Sequence, residues 1–272
     1  MRSDPKRDVK RALRQTGVRP SKTRGQNFLI DEAFISEIIS FANPDLNEKI
    51  VEIGPGLGAL TKELADAKDL TLIEIEPEFC RELQAKYPHA KIINKDVRTV
   101  NFSEIGENLI VFGNLPYVYS TEIIFNLIDN KHSVRKAVFL LQQEFAERLA
   151  AKPGGKVFGV LSISAQLWAD IRLGGIIKGD AFVPPTKVNS RLVELTFLKE
   201  CRFAIPDYML FKKVVKAAFI QRRKKLINSM ASTGFFKKDQ LEEALKACSI
   251  DPGRRAETLS IEEFVNLAKT LA

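Results

Sequence analysis

The chain has 272 residues, 45% hydrophobic and 28% charged, with a net charge of +8. That is the composition of a globular protein with room for one large domain and a small one, and no apolar run approaches the ~18 residues of a membrane span. Three widely spaced cysteines (Cys80, Cys201, Cys248) and two histidines (His89, His132) exclude a disulfide framework and argue against a protein metal site.

The cysteines read as reduced thiols, which places the chain in the cytoplasm. Basic residues at 1–7 with no apolar core behind them make a secretory signal unexpected. Divided along the chain, the charge is +7 over residues 1–24, −5 over 25–198 and +6 over 199–272. A basic tail can be mere solvated surface. Two basic ends around an acidic body better suit a long polyanion such as RNA, held through its phosphates.

After the tail, a helix is expected at 31–41 with Asp31 as its N-cap. Short apolar runs then predict strands at 49–53, 70–75, 91–94, 109–112, 137–141 and 192–198. Amphipathic stretches between them predict helices at 59–67, 77–86, 121–129 and 143–150. Such alternation implies βαβ units and a mainly parallel, doubly wound sheet. Beyond it, apolar residues at helical spacing predict helices at 206–219, 222–230, 238–247 and 261–271, the last with a Ser260/Glu263 capping box. The organisation expected is a basic tail (1–24), a Rossmann-like domain (25–200) and a small helical domain (201–272).

Chemistry-bearing residues recur just after the strands. Glu52-Ile53-Gly54-Pro55-Gly56-Leu57-Gly58 follows the first and opens a helix. Glycines there let the backbone turn sharply and approach a ligand. Glu74 ends the next strand, where a carboxylate can accept both hydroxyls of a ribose. To this point a dinucleotide and S-adenosylmethionine (AdoMet) fit equally. The Gly-x-Gly-x-Gly spacing favours AdoMet over the pyrophosphate-binding Gly-x-Gly-x-x-Gly. An acidic Glu52 also suits a ligand bearing an ammonium and a sulfonium. Asp96, after the third strand, can accept from the cofactor's adenine amine. After the fourth comes Asn114-Leu115-Pro116-Tyr117. Its side-chain amide and a main-chain carbonyl beside the proline can accept from an amino group, and its Tyr ring gives a flat base something to stack on.

The chain resembles the rRNA adenine dimethyltransferase family almost end to end. The likeness rests on Gly25-Gln26-Asn27-Phe28-Leu29, the Glu52–Leu57 glycine loop, Glu74, Asp96 and Gly113-Asn114-Leu115-Pro116-Tyr117. It continues through Phe182-Val183-Pro184-Pro185-Thr186-Lys187-Val188-Asn189-Ser190, Ala218-Phe219-Ile220-Gln221-Arg222-Arg223-Lys224 and Asp251-Pro252-Gly253-Arg254-Arg255-Ala256-Glu257. The resemblance implies that Asn27, Leu29, Gly54, Gly56, Glu74, Asp96 and Asn114 contact AdoMet. It also implies that Asn114, Leu115, Pro116 and Tyr117 hold a target adenine, with Phe182 against its other face. Core packing is the other reading of both aromatic rings. Val118-Tyr119 and Thr186 depart from the usual family residues.

The expected reaction is methyl transfer from AdoMet, without a metal, to the exocyclic amine of two adjacent adenines near the 3′ end of small-subunit rRNA. The substrate is a precursor small ribosomal subunit and the enzyme a monomer. Acceptors at Asn114 and the Leu115/Pro116 main chain pull the amine's lone pair out of conjugation, and positioning supplies most of the acceleration. The base must first be flipped out. Absence of a Pro-Cys dipeptide argues against covalent cysteine chemistry. Alternatives are a large-subunit adenine methyltransferase of the macrolide-resistance type, a mainly non-catalytic assembly factor, and, disfavoured by the glycine spacing, a nicotinamide oxidoreductase. Gln221 to Lys225 and the basic tail are expected to dock on RNA phosphates.

Overall fold

The structure, a computed structural model, describes residues 4–20 and 25–272. Residues 21–24 of the expected basic tail, like 1–3, lie outside the described residues. The chain runs α1 (Pro5–Thr16), β1 (Phe28–Leu29), α2 (Glu32–Ala42), β2 (Lys49–Ile53), α3 (Thr61–Leu64), β3 (Asp69–Glu74), α4 (Pro77–Lys86), β4 (Lys91–Asn94) and β5 (Leu109–Asn114). Then follow α5 (Ser120–Asp129), β6 (Val134–Gln142), α6 (Gln143–Leu149), α7 (Val160–Gln166), β7 (Ala169–Ile177), β8 (Phe182–Val183) and β9 (Ser190–Phe197). Last come α8 (Tyr208–Phe219), α9 (Leu226–Ala231), α10 (Lys238–Ala247) and α11 (Ile261–Thr270). Of the described residues, those up to Ala146 with Asp170–Lys199 form one compact unit, and Glu147–Ala169 with Glu200–Ala272 form a second.

The first unit is built on a seven-stranded sheet ordered β4-β3-β2-β5-β6-β9-β7. β4, β3, β2, β5 and β6 run parallel, and β9 pairs antiparallel with β6. From β2 the chain winds outward to β3 and β4, then returns to lay β5 on the other side of β2. The order therefore reverses between β2 and β5, where open α/β sheets place their ligands. Ile50, Leu72, Ile110, Phe112 and Leu140 pack with Ile35, Ile38, Phe79 and Leu83 of α2 and α4 in one core. The alternate residues Val51, Ile53, Val111, Phe139 and Leu141 are 2% exposed or less. Both sheet faces are thus covered, as parallel strands require, and each large side chain so buried contributes about 1.5–3 kcal/mol.

Several features differ from the sequence expectation. Residues 5–16 are a helix: the Asp4 carboxylate caps it by accepting from Lys6 N–H at 3.0 Å, Pro5 sits in its first turn, and Leu13 is buried. β1 and β8 form a separate antiparallel ribbon that joins Phe28 to Val183 and Leu29 to Phe182. Residues 147–169 do not belong to the sheet unit, so the expected single cut near residue 200 needs a second crossing. Phe158, Ile163 and Leu167 pack instead with Phe211, Met230 and Phe264.

In that second unit α11 carries the expected capping box: Glu263 N–H donates to Ser260 Oγ at 3.1 Å and Ser260 N–H to Glu263 Oε2 at 2.7 Å. The helix expected at 222–230 starts only at Leu226. The basic run before it is a turn, in which Lys224 N–H donates to the Gln221 carbonyl at 2.8 Å.

Candidate active site

Parallel register brings the ends of four strands together. Ile53 pairs with Ile73 on one side and Gly113 on the other, and Glu74 pairs with Asn94. The glycine loop, Glu74, Asp96 and Asn114 therefore converge on one cavity of about 580 Å3 at the switch point, a volume suited to a small organic ligand. Asn27, Leu29, Gly54, Gly56, Glu74, Asp96, Asn114 and Pro116 all line it. Leu115, Tyr117 and Phe182 do not.

Gly54 and Gly56 have φ of +65° and +54°, a region that costs other residues about 1–2 kcal/mol. Gly56 N–H donates to Glu74 Oε2 at 3.0 Å, while Ile75 and Glu76 N–H donate to Glu74 Oε1 at 2.8 and 2.9 Å. The Glu74 carboxylate is thus fixed by the backbone before any ligand arrives. Glu52, 3% exposed, accepts from Thr61 Oγ1–H at 2.6 Å. Burial pushes its carboxyl up to about 8; the Thr61 bond opposes the shift and the charge of Glu74 adds to it. A nearby cation would draw out its proton.

Asp96 is engaged by Arg98. The guanidinium donates from Nε to both carboxylate oxygens at 3.0 and 3.1 Å and from Nη2 at 2.5 Å. This fork, chiefly, holds the Asp96 carboxyl below the usual range. Arg98 also lies over the Tyr119 ring, 4.1 Å from its centroid.

Asn114 is oriented by its own amide. Its Nδ2 donates to the Asn27 main-chain carbonyl at 2.9 Å, and Asn27 Nδ2 donates to the Gly25 carbonyl at 3.0 Å. With Nδ2 committed, Oδ1 is the atom left to accept, and no described residue donates to it. The Leu115 side chain is 1% exposed, and its N–H donates to the Leu140 carbonyl at 3.2 Å. Pro116's carbonyl already accepts from Tyr119 N–H (3.1 Å) and Ser120 Oγ–H (3.2 Å), whereas among the described residues none donates to the Leu115 carbonyl. Tyr117 is half-buried, and its hydroxyl shares a 2.7 Å hydrogen bond with Ser190 Oγ.

The expectation for Phe182 is corrected. Its ring is 1% exposed and part of the core under α1 and α2, because its pairing with Leu29 turns it inward. It offers no face to a base.

The sequence reading missed Ile75, Val97, Tyr119 and the face of α1, all of which line the cavity. Ile75 is 45% exposed. An apolar residue directly after each cavity-lining acid, in Glu74-Ile75 and Asp96-Val97, was the available signal.

The residues present fit AdoMet. The cavity offers fixed carboxylates, apolar walls at Ile75 and Val97, and a loop where a Cβ on Gly54 would meet no atom within 4 Å. Residues 19–272 match the family described as ribosomal RNA adenine dimethylase. The chain belongs to that family. Members similar to it include the ribosomal RNA small subunit methyltransferase A of Syntrophotalea carbinolica, 40% identical over 93% of this chain and 97% of that protein. The protein of the same name from Geobacter metallireducens is 36% identical over 95% and 98%. Among solved structures, a dimethyladenosine transferase from Plasmodium falciparum superposes with a TM-score of 0.77 at 22% identity, over 88% of this chain and 95% of that one. The 23S rRNA methyltransferase ErmE superposes with a TM-score of 0.69 at 22% identity, over 90% and 99%. These two likenesses show the fold: an α/β Rossmann-like methyltransferase domain followed by helices.

Proposed function

We propose that this AdoMet-dependent rRNA adenine dimethyltransferase acts on the small ribosomal subunit, placing two methyl groups on the exocyclic amine of each of two adjacent adenines near the rRNA 3′ end. The relatives at 36–40% identity over nearly the whole chain bear small-subunit names, which supports this reading over large-subunit methylation.

AdoMet, when bound, supplies an electrophilic methyl on a sulfonium. Gly54 and Gly56 allow its close approach, Glu74 takes the ribose hydroxyls, and Asp96 with Ile75 and Val97 takes the adenine. Asn27 and Leu29 close the cavity from the β1 side. Glu52 answers the positive end. Asn114 Oδ1 and the Leu115 carbonyl accept from the two N–H groups of the target amine. Those bonds draw the nitrogen out of the ring plane, free its lone pair, and stabilise the positive charge that grows there. A protonated N-methyl adenine amine is strongly acidic, so its proton passes to water without a resident base. Tyr117, steadied by Ser190, offers the flipped base a stacking face. The observation that carries the reading is the Asn114–Asn27 bond at 2.9 Å, which commits Nδ2 and leaves an acceptor at the cavity edge.

In the second unit, exposed Arg223, Lys224 and Lys225 serve RNA phosphates. Arg222 does not, because its Nη2 donates to the Lys156 and Phe158 carbonyls at 2.8 and 2.7 Å. We place the enzyme in the cytoplasm as a monomer. Among the described residues no helix is long and apolar enough to cross a membrane, and no group of three or more His, Cys, Asp or Glu is set to hold a metal. Parallel incubations of methyl-labelled AdoMet with undermethylated small subunits and with undermethylated large subunits should yield dimethyladenosine in nucleoside digests of the small subunits. Label confined to large subunits would reverse the assignment.

A further inference from the structure

α1 has two working faces. Pro5, Val9 and Ala12 line the cofactor cavity. Lys6, Lys10 and Arg14 line a separate groove of about 480 Å3, shared with Pro184 and Pro185. The charges on the helix are divided in the same way. Arg7 and Arg11 are matched with Asp4 at 3.6 Å and Asp8 at 2.9 Å. Lys6, Lys10 and Arg14 are exposed and have no acidic partner among the described residues. The neutralised cations therefore lie off the groove, and the uncompensated ones line it.

We infer that this groove holds the phosphodiester backbone of the RNA strand next to the target adenine. The inference rests on the adenine-methylation reading and adds to it a second contact site on the same unit. Lys6, Lys10 and Arg14 follow one another at four-residue steps, so they rise about 6 Å apart along the helix, comparable to neighbouring phosphates on one strand. Pro184 and Pro185 lack main-chain donors and form a stiff apolar wall against which sugars can lie. The β1–β8 ribbon links the two sites: Phe28 lines the cofactor cavity, and its paired residue Val183 lines the groove. A strand seated in the groove thus runs beside the cavity into which its base must turn. A membrane surface is a poorer match, since the large apolar residue on the groove side of α1, Leu13, is only 9% exposed and a membrane helix needs an apolar face to insert.

The test compares Lys6→Gln/Lys10→Gln/Arg14→Gln with Arg7→Gln/Arg11→Gln, since Gln keeps helix propensity and most of the side-chain stem. Affinity for small-subunit rRNA is titrated between about 50 and 200 mM salt, where the logarithmic slope counts phosphates neutralised at about 0.7 each for single strands. The triple variant should lose about 2 from that slope and roughly tenfold or more in affinity at low salt, while its AdoMet Kd and circular dichroism match the parent. The double variant should keep the parent's slope. An unchanged slope in the triple variant overturns the inference, as does an equal loss in the double variant. Retained RNA binding with lost binding to anionic phosphatidylserine vesicles would overturn it in favour of a membrane surface. A parent that binds RNA with this slope but makes no methyladenosine would sink the catalytic reading and leave the groove standing. A methylating parent whose triple variant keeps its slope would sink the groove alone.

Discussion

Glu52 offers a quantitative test of the site's electrostatics. Its carboxyl is buried beside Thr61 and Glu74 and titrates near 8, against 4.5 for an ordinary glutamate. Between those values the folded protein holds a proton that the unfolded chain has released, so stability falls as pH rises through that window. At about 1.36 kcal/mol per pH unit, the full fall is roughly 5 kcal/mol by pH ~8 and levels off above it. Glu52→Gln keeps the shape and an oxygen for the Thr61 hydroxyl but does not titrate. Urea unfolding of parent and variant at half-unit steps from about pH 5 to 9 isolates the effect, because ionisable groups that do not interact with Glu52 cancel in the difference. The variant should gain on the parent steadily through the window and then run parallel to it. A bound cation reverses the balance: AdoMet affinity of the parent should climb from about pH 6 to 8 as its approach ionises Glu52, and that of Glu52→Gln should stay flat. Parallel stability curves across the whole range would refute the reasoning.

The other predictions separate residues that look alike in the sequence. Tyr117→Phe removes only the bond to Ser190 and should keep turnover within about threefold, whereas Tyr117→Ala forfeits a stacked face worth about 1–3 kcal/mol, or roughly 5- to 150-fold in kcat/KM for RNA. Equal effects would assign Tyr117's importance to its hydroxyl. Arg222→Met should cost about 1–3 kcal/mol in unfolding free energy by stranding two main-chain carbonyls, while Arg223→Met should leave stability within about 0.5 kcal/mol and weaken RNA binding with a shallower salt slope. Identical unfolding curves for the two variants would remove the distinction drawn between them.

The convergence of Glu74, Asp96 and Asn114 on one cavity was legible because each acid or amide stands at or just beyond the tip of an apolar run, and parallel pairing obliges such tips to meet. Runs at 91–94 and 77–86 even carried their element bounds, since Pro77 opens α4 and polar residues flank β4. The base side was less legible. Phe28-Leu29 and Phe182-Val183 are two-residue strands with no period to detect, so nothing local showed that their pairing turns the Phe182 ring into the core. β7 escaped because Gly174-Gly175 interrupts it and breaks the alternation of its burial half-way along. α1 was hidden by its own cations. The Asp4-Pro5 start and the apolar Val9, Ala12 and Leu13 were signals of a helix that the charge count obscured. Residues 147–169 joined the helical unit through Phe158 and Leu167, a long-range packing choice that no linear boundary reveals.

That Asn114 Oδ1 is the acceptor positioning the target amine is tested most directly by a paired measurement on Asn114→Ala. Single-turnover methylation of undermethylated small subunits, with AdoMet Kd measured calorimetrically on the same preparation, should show turnover down by about 10²–10³-fold and AdoMet affinity within about threefold of the parent. Turnover and affinity falling by the same factor would make Asn114 a cofactor prop and contradict the account.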